Sequence, residues 1–442
     1  MRDDWQNLGV TELGRAIGSG AVDPVDLTDA YLAAIDGHPH RDRIYSAVTP
    51  DRARAEAEAS AMRAKQGVRR GLLDGVPVSW KDLFDSAGVE TAAGSALLQG
   101  RIPEDDAEVL ANATRAGMVC LGKTHMSELA FSGVGVNPVT ATPPNIHDPD
   151  LVPGGSSSGA AASIAWGLAP AGIGSDTGGS VRIPAAFNDL VGLKTTSGRV
   201  SLKGVVPLCA RFDTVGPLAR TVEDCAHLLA VMEGGRPADL RGATLAGKRF
   251  LVLEAYSADV RAEPGAGFAS ALDRMGQAGA EITHGAVQGV DEAMDLSPIL
   301  FTAEAYGTWK DVIEAAPEKM FGRVLDRFRS GAGFSAPDYV AAWQRLDALR
   351  QSWLAQTAGY DAVLLPTAPI LPPDAARLMT DDDYYVTENL LALRNTRVGN
   401  LMGLCGLTLP TGVPATGLMA LGHPGAEEHL LRIGAAIEAA LA

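Results

Sequence analysis

The chain has 442 residues, of which 46% are hydrophobic and 20% are charged, and its formal net charge is −16. This is the composition of a soluble globular protein with ample apolar surface to bury. The carboxylates are scattered and no block of Lys and Arg could follow a phosphate backbone, so we expect no direct nucleic-acid partner. An uninterrupted run of about 18 apolar residues is also missing, which predicts no membrane span.

The cysteines and the first residues of the sequence indicate the cellular compartment. The four cysteines are far apart in the sequence and show neither C-x-x-C spacing nor neighbouring histidines, which argues against a zinc site and a disulfide framework. They are Cys120, Cys209, Cys225 and Cys405. The first residues lack the basic segment and apolar run of a secretory signal. We therefore expect a cytoplasmic protein.

The first 66 residues predict helices. Asp23 followed by Pro24 is typical of a helix start, with an N-cap and a proline at the first helical position. Thr49 and Pro50 predict a second start, before a run of alanines and charged residues. Between these helices, residues 43–48 predict a short strand.

From residue 71 to 125 strands and helices alternate, which favours helices packed on a sheet. The segment GVPVSWKD predicts a short apolar strand that ends near Lys81. Desolvation at such a position lowers the pKa of a lysine. Neutral Lys81 could then act as a general base.

Residues 151–200 contain two clusters of glycine and hydroxyl residues, GGSSSG and GSDTGGS, on either side of an alanine-rich helical run. Because glycine permits positive φ, Gly178 and Gly179 can turn several N–H groups toward one point, as an oxyanion hole requires. Ser180, which we expect to open a helix, is a candidate nucleophile if a base takes its proton. No histidine lies between residues 147 and 227, so Lys81 is the candidate base.

These motifs together resemble the amidase signature family: GGSSSG, then GSDTGGSVR, with a strand-borne lysine upstream. The resemblance implies that Ser180 is the nucleophile, Lys81 the base, and Ser156 a bridging serine preceded by a cis peptide bond. It also implies an oxyanion hole made of backbone N–H groups. These belong to Thr177, Gly178, Gly179 and Ser180.

Four further residues are expected to support the site. Gly155 and Ser157 flank the bridging serine in the first cluster. Arg182 follows the nucleophile by two positions, and we expect it to hold the loops through carboxylates such as Asp176.

The resemblance covers three separated segments and returns in the last part of the chain, at 361–369 and 403–410. It implies an α/β fold with a mixed central β-sheet covered by helices on both faces. We expect one large amidase domain over residues 1–442, with the signature core at 70–230. Residues 255–400 form a divergent, mostly helical region of the same domain, in which we expect the substrate pocket.

The function implied is hydrolysis of a small-molecule carboxylic amide, or of a ureido-type C–N bond, through an acyl-enzyme on Ser180. Because the chain supplies base, relay, nucleophile and oxyanion donors, we expect no metal and no organic cofactor. The expected partners are a small amide substrate and a second copy of the chain, since dimers are common in the family.

Three alternatives stay open. Some family members are the glutaminase component of a glutamyl/aspartyl-tRNA amidotransferase complex, but there Asn usually follows Lys-Asp, where this chain has Leu83. The sequence GSSSG also fits the G-x-S-x-G pattern of an α/β-hydrolase esterase with Ser157 as nucleophile, although loop-forming residues precede it. The third is a non-catalytic anion or nucleotide binder, for which no Walker pattern is present.

Overall fold

Short runs of buried residues form the strands of one mixed sheet. The computed structural model describes residues 5–442. The strands in that range are β1 (Tyr45–Val48), β2 (Pro77–Lys81), β3 (Val119–Thr124), β4 (Gly172–Ser175), β5 (Val191–Lys194), β6 (Val215–Ala219), β7 (Arg249–Leu253), β8 (Glu281–Gly285), β9 (Ala362–Pro366), β10 (Cys405–Pro410) and β11 (Gly417–Gly422). They lie in the order β1-β3-β2-β4-β6-β5-β10-β11-β9-β7-β8.

Parallel and antiparallel pairs share this sheet. Strand β2 pairs in parallel with both β3 and β4, whereas the strands from β4 to β9 in the sheet order pair antiparallel. Strands β9, β7 and β8 are parallel again. Because β2 and β4 run in the same direction, their last residues, Lys81 and Ser175, lie at the same edge of the sheet.

Helices flank the sheet. They are α1 (Val10–Gly18), α2 (Pro24–Gly37), α3 (Arg41–Ile44), α4 (Pro50–Lys65), α5 (Glu108–Arg115), α6 (Ser158–Ala165), α7 (Arg182–Phe187), α8 (Val222–Glu233), α9 (Glu254–Ala258), α10 (Ala262–Gln277), α11 (Val290–Asp295), α12 (Ser297–Ala315), α13 (Gly322–Arg329), α14 (Ala336–Thr357), α15 (Ala375–Thr380), α16 (Asp382–Leu401) and α17 (Glu427–Ala440). The mixed sheet with flanking helices confirms the predicted fold class.

The core lies on both sides of the sheet. Along β6, Leu218 packs in a cluster with residues of α6 and α7. Its neighbours Val215 and Ala219 belong instead to the main hydrophobic core, because side chains alternate between the two faces of a strand. Helices α8 and α17 pack against β6 and β10. Strand β6, which pairs with β4 at the second glycine cluster, is therefore held between two helical layers.

The local predictions hold with shifted boundaries. Asp23 caps α2 by accepting a hydrogen bond from the Val25 N–H at 2.8 Å, and α4 begins at Pro50 as expected. The strand predicted from residue 43 starts at Tyr45, because residues 41–44 form one helical turn. The helix expected to open at Ser180 begins at Arg182, and it ends at Phe187, shortly before Asp189 takes a positive φ of 53°.

The divergent region at 255–400 contains most of α9 to α16 and also β8 and β9, of which β9 pairs with β7 and β11 in the main sheet. No helix among the described residues is long and apolar enough to cross a membrane.

Candidate active site

The end of β2 carries a buried lysine that contacts two serines. Lys81 Nζ lies 2.7 Å from Ser156 Oγ and 2.8 Å from Ser175 Oγ. The side chains of Lys81 and Ser156 are fully buried, and the rest of β2 is equally inaccessible. The structure thus brings the predicted base and the predicted bridging serine into direct hydrogen-bond contact.

Burial changes the protonation of this lysine. It lowers the Lys81 pKa from 10.5 to about 7, while the negative charges of Asp176 and Asp213 raise the pKa and offset part of this effect. Near neutral pH a large fraction of Lys81 is therefore uncharged. A neutral amine has a free lone pair and can accept a proton from Ser156.

The peptide bond between Gly155 and Ser156 is cis, as the resemblance implied. The backbone here lies against another segment, and the Gly155 N–H donates to Gly133 O at 2.8 Å. A Cβ on Gly155 would stand 2.6 Å from Ser127 Oγ and 2.7 Å from the Gly135 backbone nitrogen. Only glycine fits at this position without displacing the neighbouring loop.

Ser180 lies in the loop between β4 and α7 and lines a small cavity together with Thr177 and Gly178. Its Oγ makes no hydrogen bond to any residue in the range 5–442, so the hydroxyl is free to turn. The backbone N–H groups of Thr177, Gly178 and Ser180 likewise have no acceptor within that range. These three unoccupied donors therefore belong to residues that line the cavity.

The backbone N–H of Gly179 was predicted to be an oxyanion donor, but it has another partner. Its N–H donates to Asp176 Oδ1 at 2.8 Å, so this group is occupied by a carboxylate and does not face the cavity as a free donor. Its φ is 140°, and a Cβ would clash with the side chain of Thr396. Gly179 therefore shapes the loop that presents the other donors.

Asp176 and Arg182 form a fully buried ion pair beneath this loop. The Arg182 Nη2 and Nε donate to the Asp176 carboxylate at 2.9 and 3.0 Å. Burial alone raises the pKa of Asp176, but the Arg182 charge and hydrogen bonds hold that pKa well below its usual range. Arg182 also donates to Thr396 O at 2.9 Å and Asn400 Oδ1 at 2.6 Å. The predicted pairing of Arg182 with Asp176 is therefore present, and Arg182 ties the loop that carries Ser180 to α16.

A model of the family described as Amidase matches residues 26–431. The chain belongs to the amidase family. It is an amide-hydrolysing enzyme.

Two relatives and one solved structure indicate how broad the family is. The chain is 35% identical over 414 residues to the 2-amino-5-chloromuconic acid deaminase of Comamonas testosteroni, covering 90% of this chain and 88% of the relative. It is 33% identical over 476 residues to the A-type subunit of the glutamyl-tRNA(Gln) amidotransferase of Anaeromyxobacter dehalogenans (strain 2CP-C), covering 98% and 96%. A crystal structure of an amidase superposes with a TM-score of 0.88 at 29% identity, covering 98% of this chain and all of that chain.

Ser157 of this amidase does not occupy a nucleophile position. The residue is fully buried, and its Oγ lies 3.3 Å from both the N and the O of Ser175. It fixes the start of α6 against β4, consistent with a supporting role. The alternative in which Ser157 attacks a substrate in an esterase elbow finds no support in this geometry.

Two residues at the site were not predicted. Ser175 is the second partner of Lys81, and the parallel pairing of β2 with β4 is the signal that could have revealed it. Asp213 accepts a hydrogen bond from Thr177 Oγ1 at 2.5 Å and further bonds from the N–H groups of Leu208 and Cys209. Its place just before β6, beside the end of β4, could only be recognised from the topology.

The cavity at Ser180 is also lined from the divergent region. Its apolar wall consists of Ala130, Phe131, Leu208, Phe301 and Leu393, of which the last two belong to that region. Two arginines, Arg327 of α13 and Arg397 of α16, complete the wall. Helical spacing marks aromatic residues such as Phe301 as core, so the sequence offered no means of separating these wall residues from ordinary packing positions.

Proposed function

We propose that this amidase cleaves a small carboxylic amide, or a ureido-type C–N bond, through an acyl-enzyme on Ser180. The observation that carries the proposal is the buried contact of Lys81 Nζ with Ser156 Oγ at 2.7 Å. The next residue, Ser157, links this pair to the nucleophile loop by donating its N–H to Ser180 O at 3.2 Å. A base with its pKa near 7, a relay hydroxyl and a free nucleophile are the groups that acyl transfer requires.

In the acylation step, Ser180 Oγ attacks the carbonyl carbon of the amide. Its proton passes to Ser156, while the Ser156 proton passes to neutral Lys81, so the charge resides on the lysine ammonium. The carbonyl oxygen becomes an oxyanion as the C=O π bond opens. When the tetrahedral intermediate collapses, the C–N bond breaks and the amine leaves with the proton returned through Ser156.

In the deacylation step, a water molecule attacks the acyl-enzyme and gives a proton to the same relay. The second tetrahedral intermediate expels Ser180 Oγ, which recovers its proton from Ser156, and the carboxylic acid is released. Lys81 ends neutral, so the cycle closes without any net change in the protein.

The free N–H groups of Thr177, Gly178 and Ser180 are the proposed oxyanion donors. Each such donor contributes on the order of 3 kcal/mol to transition-state stabilisation in enzymes of this kind. The hydrogen bond from Thr177 Oγ1 to Asp213 supports the proposal, because it holds the first of these donors in place. Gly155, Ser157, Asp176 and Arg182 keep the loops in position without touching the substrate.

A second candidate is the glutaminase component of a transfer-RNA amidotransferase. It is favoured by the 33% identity over 98% of the chain to a protein of that name. Leu83, which stands where that component usually has Asn, favours a hydrolase that works without partner subunits.

For the stand-alone enzyme we propose the cytoplasm as compartment, supported by four buried cysteines that are all free thiols. The homodimer stays a prediction. The division of the domain into a signature core at 70–230 and a divergent region at 255–400 also stays a prediction.

The test is labelling with a serine-reactive fluorophosphonate, followed by peptide mass spectrometry. We expect one adduct on Ser180 that is lost in Ser180→Ala and retained in the matched control Ser157→Ala. An adduct on Ser157 would refute the assignment.

Release of ammonia from simple amides by the isolated chain would favour the hydrolase, whereas release only after addition of amidotransferase partner subunits would favour the second candidate.

A further inference from the structure

Two arginines in the wall of the Ser180 cavity have no acidic partner. Arg327 and Arg397 line this cavity, and neither forms an ion pair with an Asp or Glu within residues 5–442. Arg182, the buried arginine beneath the catalytic loop, is by contrast fully paired with Asp176. Both residues are partly buried, and a partly desolvated guanidinium without a counter-ion is costly, so these two call for another explanation.

Of the two arginines, Arg397 has the weaker hydrogen bonding within the protein. Its Nη1 has Ser297 Oγ as a distant partner at 3.4 Å, and its Nη2 is buried without any hydrogen-bond acceptor among the described residues. Burial, together with the nearby charge of Arg327, lowers the pKa of Arg397 to about 9. Both effects disfavour the charged form, and no carboxylate among the described residues pairs with Arg397 to offset them.

Arg327 is held in a fixed position beside it. Its Nη1 donates to Phe131 O at 2.9 Å, and its Cζ lies 4.2 Å from the centroid of the Phe131 ring. Burial also lowers the pKa of this group. The guanidinium therefore keeps unused donors on a side chain that is already oriented, which reduces the entropic cost of binding an anion.

We infer that the substrate carries a carboxylate at the end remote from its amide, and that Arg327 and Arg397 bind this carboxylate. The inference rests on the proposed function, since it takes Ser180 as the attacking group. It defines the substrate class as monoamides of dicarboxylic acids. Guanidinium groups recognise carboxylates with paired, charge-assisted hydrogen bonds, and the apolar wall formed by residues such as Leu393 suits the connecting methylene chain.

The same wall argues against a free α-amino acid amide such as glutamine. No Asp or Glu is among the described residues that line the cavity, so an α-ammonium group would be desolvated there without a partner. It would also lie close to two like charges. An acid amide without an amino group fits the charge of the cavity better.

The experiment measures binding by calorimetry in the Ser180→Ala protein, which cannot turn the ligands over. The probes are the monoamides of succinic, glutaric and adipic acid, and the corresponding diamides serve as neutral counterparts. We expect at least one monoamide to bind about tenfold or more tightly than its diamide. Adding Arg397→Gln or Arg327→Gln should remove most of this preference, Arg397→Lys should retain part of it, and the exposed control Arg241→Gln should retain all of it.

Equal affinity for monoamides and diamides, or no binding of either, would overturn the inference, as would a preference that survives both arginine-to-glutamine changes in folded protein. Melting temperatures of the variants identify any that are unfolded, and Arg397→Lys then carries the comparison. Fluorophosphonate labelling of Ser180 tests the proposed function separately. A protein that labels at Ser180 but ignores the carboxylate keeps its proposed function and loses only this substrate class.

Discussion

The protonation of Lys81 should set the acid side of the pH profile. Burial gives this lysine a pKa of about 7, and only the neutral form can accept a proton from Ser156. The neutral fraction is about one in eleven at pH 6 and about ten in eleven at pH 8, so kcat/KM for an amide should rise about tenfold over this interval and then level off. A lysine with an ordinary pKa would still be gaining activity above pH 9.

The assay follows either ammonia release or the second-order rate of fluorophosphonate labelling from pH 5 to 9.5. Glu128 is the necessary control, because burial raises its pKa to about 7 and it lies two residues from the cavity wall at Ala130. The inflection should remain in Glu128→Gln. A rate that is flat from pH 5 to 9, or an inflection that vanishes with Glu128→Gln, would refute the assignment to Lys81.

Two further predictions concern the groups around the base. Ser175→Ala removes one of the two hydroxyl partners of Lys81, so kcat/KM should fall by about tenfold, the equivalent of one hydrogen bond, while the melting temperature changes little; an unchanged rate would contradict a role for this contact. Arg182→Met leaves Asp176 buried without its partner, so the free energy of unfolding in urea should drop by about 3 to 5 kcal/mol, whereas the exposed control Arg241→Met should show no measurable change.

The sequence was most informative where local chemistry restricts the choice of residue. The glycine and hydroxyl clusters predicted the loops that carry Ser156 and Ser180. The apolar strand predicted the position of Lys81, which the structure places in contact with Ser156. The alternation of strands and helices likewise predicted helices packed on a sheet, and the family resemblance implied that the sheet is mixed. These signals are short-range, so a few neighbouring residues suffice to express them.

Contacts between distant segments could not be predicted. Ser175 reaches Lys81 because β4 lies beside β2, and Asp213 reaches Thr177 across a connection of more than thirty residues. Gly179 was misjudged for a related reason, since its N–H turns to the Asp176 carboxylate and only the folded loop shows this. The cavity wall in the divergent region depends on which side chains of α13 and α16 point toward Ser180. The spacing of apolar residues shows which side of a helix is buried, but it does not show whether a buried position faces the cavity or the core.

One face of helix α16 both anchors the loop that carries Ser180 and lines the cavity. Positions 393, 396, 397 and 400 are spaced as neighbours along a helix surface. Thr396 and Asn400 anchor the loop of the nucleophile through Arg182, while Leu393 and Arg397 border the substrate cavity. Positions that hold the loop and positions that line the cavity therefore alternate, so under the proposed function a single substitution at 393 or 397 should change which amide is accepted while the loop stays fixed. An insertion or deletion between residues 393 and 400 would change the spacing of these positions and disturb the loop and the cavity together. We therefore expect substrate range to change by replacement of side chains and not by a change in the length of this segment.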